Sequence, residues 1–124
     1  MSAKSQIAEL KSRGIRSYDR ETALARLDGD LELHTEIVGL YLEDAPIQLN
    51  GIRRGIESGD AELAERSAHS LKSASANIGA ELMRQLAFDA ERLGKEKDLE
   101  KVKKMLPTLQ LAFDELSAEL RANK

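Results

Sequence analysis

Apolar residues in this chain recur at three- and four-residue steps over long stretches, and glycine and aspartate cut those stretches into helix-length pieces. No other feature constrains the fold as tightly, because a period near 3.6 gives each helix one apolar stripe and leaves no alternation that would suit a strand. Leu31, Val38, Tyr41, Leu42, Ala45, Leu49, Ile52 and Ile56 form the first long stripe, with Pro46 inside it. Proline removes a backbone donor and crowds the preceding turn, so a kink or break is expected near Ala45. Ser58-Gly59-Asp60 stops this helix and caps the next, which the pattern places over about 61–78 with Gly79 closing it. A further helix runs from Glu81 to about Leu93, turning Met83, Leu86, Ala90 and Leu93 inward, and Gly94 is expected to end it. Asp98 opens the last helix, whose stripe of Leu99, Val102, Leu106, Leu109, Phe113, Leu116 and Leu120 stays in phase across Pro107, where a bend is expected.

Ahead of these lie a short helix over roughly 20–27, a turn at Gly29 and a cap at Asp30. Up to about Arg16 the sequence is polar, with Ile7 and Leu10 as isolated apolar residues and Gly14 as a breaker, and reads as a short or frayed helix or a linker remnant. Residues 1–17 are thus expected as a polar N-terminal segment, and 18–122 as one bundle domain. The expected fold is all-α: an antiparallel up-and-down four-helix bundle with short additional N-terminal helices.

Composition agrees with a helical core and narrows the function. Aromatics make up only 3% of the 124 residues, with no Trp, which suits helices packed with Leu, Ile and Ala better than a sheet. Lys and Arg total 19 against 22 Asp and Glu, so no bulk attraction draws nucleic acid. Without cysteine there is neither disulfide nor thiolate metal site. No signal-peptide run and no 18-residue apolar stretch occur, so a soluble, cytoplasmic protein with no membrane contact is expected.

The stretch AHSLKSASANIG, Ala68 to Gly79, carries one of the two histidines. Ala64, Ala68, Leu71, Ser75 and Ile78 mark the core side of the 61–78 helix. His69 falls about 140° from the centre of that side, among Glu62, Glu65, Lys72, Ser73 and Ala76, and so faces solvent. Lys72 lies one turn along, where a fixed ammonium favours an anion on the ring, and Ser73 and Ala76 leave the approach low. Such a histidine suits accepting a phosphoryl group on nitrogen and handing it on. If the helices flanking Gly79 are antiparallel, His69 and Glu91 are both about 15–18 Å from the bend. A Glu91 carboxylate accepting from Nδ1 would then leave Nε2 as the nucleophile; the alternative is a solvated charge beside Arg92.

Other chemistries lack parts. His34 sits on a different helix, without a carboxylate set for a metal, and is expected at the surface. Ser70, Ser73 or Ser75 acting as a hydrolase would need a pocket and an oxyanion hole. A glycine-rich phosphate loop is absent, so ATP binding is not expected, and the phosphoryl donor should be another protein.

AHSLKSASANIGA resembles the signature of histidine-containing phosphotransfer (HPt) domains, His-x-Leu-Lys-Gly followed by small residues and a glycine. YDRETALARLDGDLELHTEIVGLYLEDAPIQL resembles the usual lead-in of that family, and IESGDAELAERSAHSLK its approach to the active helix, so the likeness spans Tyr18 to Leu120. It implies that His69 is phosphorylated, that Lys72 is the basic neighbour of the phosphoryl group and that Gly79 is the closing glycine. Glu91 stands where family members carry a Gln or Glu contacting the ring. It also implies a phosphocarrier rather than an enzyme: a receiver-domain aspartyl phosphate donates to His69, which donates to another receiver aspartate. Magnesium and most catalytic groups belong to the receiver, and no cofactor is expected here. The expected partners are response-regulator receivers or a hybrid histidine kinase, docking over Glu65, Ser73 and Ala76 on a monomer. The initial Met and polar leader lean towards a free-standing protein rather than a domain of a larger kinase. Ser73 departs from the family pattern, since glycine usually follows the lysine. A second reading therefore keeps the fold without phosphotransfer, as a module that binds a receiver or kinase only to sequester it. A purely structural dimerisation bundle would need an unbroken apolar patch, which Glu62, Glu65 and Lys72 interrupt.

Overall fold

A computed structural model of the chain describes residues 2–122. Those residues form six helices and no strand: α1 (Ala3–Ser12), α2 (Arg20–Arg26), α3 (Leu31–Ser58), α4 (Ala61–Asn77), α5 (Glu81–Lys95) and α6 (Leu99–Ala122). Only two or three residues separate α3, α4, α5 and α6 from one another, and such short links fold each helix back along the last. α3 packs on α4 and α6, and α5 packs on the same two, so the four helices close around one core. α1 lies against α6 and α5, and α2 against α3.

The aspartates anticipated at the helix starts act as caps. Asp30 and Asp60 each accept a backbone N–H at 3.0 Å, from Leu33 and Leu63, and Asp98 accepts one from Lys101 at 3.2 Å. The apolar stripes meet in a core that includes Ile52, Leu71, Leu82, Met83, Val102, Leu109 and Leu116, all at 1% exposure or less.

The interval between α4 and its neighbours is set by glycines. A Cβ at Gly55 would lie 2.8 Å from the Ala64 backbone nitrogen, and one at Gly51 would run into the Ser67 hydroxyl. On the other side, a Cβ at Gly94 would sit 3.1 Å from the Glu65 backbone. Gly94 is therefore not the stop signal that the sequence suggested. α5 continues through it to Lys95, and the turn is made by Lys97 in the left-handed region (φ 61°). The glycine is used for close approach instead.

Neither proline breaks its helix. α3 runs continuously through Pro46 and α6 through Pro107. Both prolines are exposed, so the carbonyl freed four residues back is on a face where water can serve it. The N-terminal segment is also more than a frayed leader. Ser2 caps α1 by accepting from Ser5 N–H, Ile7 is buried at 3% exposure, and Gln6 pairs with the buried Thr108 of α6. Leu31, assigned to the inward stripe by its apolar character, is 57% exposed because it stands at the open end of α3.

His34 corrects a further expectation. It is buried at 6% exposure, with its Nε2 2.5 Å from the Tyr18 hydroxyl and the two rings stacked. The phase already contained this: 34, 38, 41 and 45 are in step with the core face of α3, and the segment before α2 folds Tyr18 over the ring. Burial lowers the His34 pKa, and the nearby Arg20 charge lowers it further.

Candidate functional site

α4 is held in one rotational setting by its buried side. Ala64, Ala68, Leu71 and Ser75 are each fully enclosed, and the Ser75 hydroxyl pairs with that of Tyr41 at 2.9 Å inside the core. Burial pushes the Tyr41 phenol up to about 12, so this pair is neutral in the working pH range. With that side fixed, His69 points outward, its side chain 58% exposed.

The turn after α4 brings α5 back beside it. Gly79 adopts φ 75°, Ala80 N–H donates to the Ser75 carbonyl, and Asp19 N–H donates to the Gly79 carbonyl at 2.9 Å. A Cβ at Gly79 would lie 2.8 Å from the Asp19 carbonyl oxygen, so glycine is required by space as well as by conformation. The antiparallel return places Glu91 level with His69, as counting residues from the bend anticipated.

There the Glu91 carboxylate is held on both oxygens. Oε2 lies 2.6 Å from His69 Nδ1, and Oε1 accepts from Lys72 Nζ at 2.6 Å. Its side chain is 14% exposed against 26% for Lys72. Burial alone would raise the Glu91 pKa, but the hydrogen bonds from Lys72 and His69 outweigh it and the net shift is downward. An ionised carboxylate has no proton to give, so Nδ1 must carry the hydrogen that bridges to Oε2. In the neutral ring the lone pair is then on Nε2, on the exposed edge of the imidazole.

The surroundings divide unequally among the other expected residues. Ser73 is exposed one turn along from His69, Ala76 is half-buried with its carbonyl accepting from the Arg26 guanidinium at 3.1 Å, and Glu65 is half-buried against Gly94. Two features escaped the sequence reading. Phe88 on α5 is 44% exposed, and its ring lies 5.8 Å from Lys72 Nζ. An aromatic out of phase with Met83, Leu86, Ala90 and Leu93, three residues before Glu91, is the signal that would have marked it. The second is a groove of about 580 Å³ bordered by Arg26, Ile37, Leu40, Asp44, Ala74 and Asn77. Leu40 and Ile47 project from α3 at 62% and 65% exposure. Both are apolar positions outside the main stripe.

Chemically, the arrangement offers a nitrogen nucleophile with a fixed tautomer and a cation beside it. The ring stands on an open helix face rather than in an enclosed cavity. Among the described residues, no group of three or more His, Cys, Asp and Glu converges as a metal site would require. None of the described helices is long and apolar enough to cross a membrane.

Comparison with known proteins gives a family and a fold. The Hpt domain family matches residues 36–119. The crystal structure of histidine-containing phosphotransfer protein B from Pseudomonas aeruginosa PAO1 is similar at a TM-score of 0.79 and 20% sequence identity, over 86% of this chain and 93% of that one. No curated protein matches the chain.

Proposed function

The chain belongs to the Hpt domain family, and on that premise we propose that it is a phosphocarrier of a multistep phosphorelay, with His69 as its phosphoryl acceptor. The observation that carries this reading is the double hold on Glu91, which commits Nδ1 to its proton and leaves Nε2 free and exposed. In the forward step the Nε2 lone pair attacks the phosphorus of a receiver aspartyl phosphate. The N–P bond forms as the P–O bond to the aspartate breaks, and the aspartate carboxylate leaves with that electron pair. The ring keeps its Nδ1 proton and gains positive charge, which the Glu91 carboxylate offsets in place. Lys72 faces the phosphoryl oxygens, and the receiver contributes magnesium. The reverse of this step delivers the group to a second receiver.

The donor is a protein because an exposed helix face without a nucleotide loop has no means of holding a free phosphoryl donor. Receiver docking spreads from His69 over Ser73 and Ala76, with Glu65 at the α5 edge and the apolar Leu40 and Ile47 on the α3 side. Soluble, cytoplasmic operation as a monomer belongs to the same proposal, since the relay face must stay open.

Incubation with a phosphorylated receiver tests it. Acid-labile phosphate should appear on the wild-type chain and be absent from His69→Gln. Equal labelling of the two proteins would sink the proposal. Partner binding and signalling output undiminished in His69→Ala would instead support the sequestering module.

A further inference from the structure

We propose that Phe88 is a positioning residue for Lys72, holding its ammonium at the α4–α5 seam beside His69 so that it meets the incoming phosphoryl group. The inference rests on the reading of His69 as phosphoryl acceptor. Lys72 Nζ is bracketed by two residues one turn apart on α5: the Glu91 carboxylate at 2.6 Å and the Phe88 ring, 5.8 Å to its centroid. Phe88 is 44% exposed, so burial does not account for an aromatic at this position. Neighbouring α5 side chains are engaged elsewhere, Gln85 on Asp89 and Arg92 on Glu96 just past the helix end.

The two partners of Lys72 differ in what they do to an anion. A second carboxylate would fix the ammonium but repel a phosphoryl group arriving on Nε2. A ring attracts the cation through its quadrupole, carries no net charge and leaves ammonium protons available for the phosphoryl oxygens. The long lysine stem otherwise samples many rotamers, most of them pointing away from the histidine. Glu91 and Phe88 together restrict it to the one seam where it serves His69.

The test compares wild type, Phe88→Leu, Phe88→Trp, Lys72→Ala and the Phe88→Leu/Lys72→Ala double variant. Single-turnover transfer from a phosphorylated receiver is followed against protein concentration, and NMR records the shifts of the Lys72 Hε protons. Phe88→Leu should lower the maximal transfer rate about two- to fivefold, the range that an exposed cation–π contact supplies, without moving half-saturation. Phe88→Trp should restore the rate, and in the Lys72→Ala background Phe88→Leu should cost nothing further. The Lys72 Hε protons should be shifted upfield by the ring in wild type and relax in Phe88→Leu. A changed half-saturation with an unchanged maximal rate would make Phe88 a docking contact and overturn the proposal. So would a loss that persists without Lys72, or a Leu variant as fast as wild type. A wild-type chain that takes no phosphate while Lys72 keeps its ring shift refutes the relay reading and not the contact. Phosphorylation without any such shift refutes the positioning role alone.

Discussion

Gly59 and Gly79 provide a controlled comparison, because they share a backbone conformation and differ in what lies next to them. Both are left-handed, at φ 71° and 75°. A Cβ at Gly59 would meet nothing within 4 Å, whereas one at Gly79 would lie 2.8 Å from the Asp19 carbonyl oxygen and 3.3 Å from the Ala23 Cβ. Alanine at either position carries the left-handed penalty of about 1 kcal/mol. At Gly79 it must also displace backbone, since the Asp19 carbonyl is not the end of a flexible side chain. Overpacking of that kind adds about 1–3 kcal/mol, for a total of about 2–4 kcal/mol. In a domain of this size each kcal/mol lowers the melting temperature by about 4 °C. Thermal unfolding followed by circular dichroism should therefore show a drop of about 4 °C for Gly59→Ala and about 8–16 °C for Gly79→Ala. Equal drops would mean that the segment before α2 yields freely to the new methyl group. The claim that it is docked against the α4–α5 turn would then be wrong.

Glu91→Ala should slow receiver-to-His69 transfer by about ten- to a hundredfold, the value of charge-assisted hydrogen bonds of about 1.5–3 kcal/mol, and Glu91→Gln should recover part of it; a wild-type rate in the alanine variant would contradict the orienting role. The Glu91 carboxyl should titrate below its ordinary 4.5 when followed by carbon NMR. Because the fold favours the carboxylate, its contribution to stability is present above 4.5 and is lost as the pH falls through the lowered value. Tyr18→Phe should cost about 1–3 kcal/mol in urea unfolding, by leaving buried His34 Nε2 without its partner. Below 6.5 the unfolded chain takes up a proton that folded His34 resists, so stability should decline from there downward, and His34→Gln should flatten that slope.

Much of the site was legible because it depends on local periodicity. The steps among Ala64, Ala68, Leu71 and Ser75 fix which way α4 faces, and that alone turns His69 and Lys72 outward. Counting residues from Gly79 then brings Glu91 to the ring. What periodicity does not report is the use to which a residue is put at a helix crossing. Gly94 looks like a helix stop in one dimension, but in three it allows the Glu65 backbone to pass close by. His34 carried the core phase of α3 but, being polar, was assigned to the surface, since its Tyr18 partner lies across a turn and a short helix. Phe88 was marked only in part: its phase sets it apart from the inward stripe of α5, but its nearness to Lys72 on another helix is something no spacing along α5 encodes.

In the proposed relay Glu91 holds the proton on Nδ1 and leaves Nε2 to receive phosphate. Long-range proton–nitrogen correlation of the 15N-labelled, phosphorylated protein measures both nitrogens of His69 at once. Phosphorus is expected on Nε2, with Nδ1 still protonated and bonded to Glu91. Phosphorus on Nδ1, or on any residue other than His69, would contradict it.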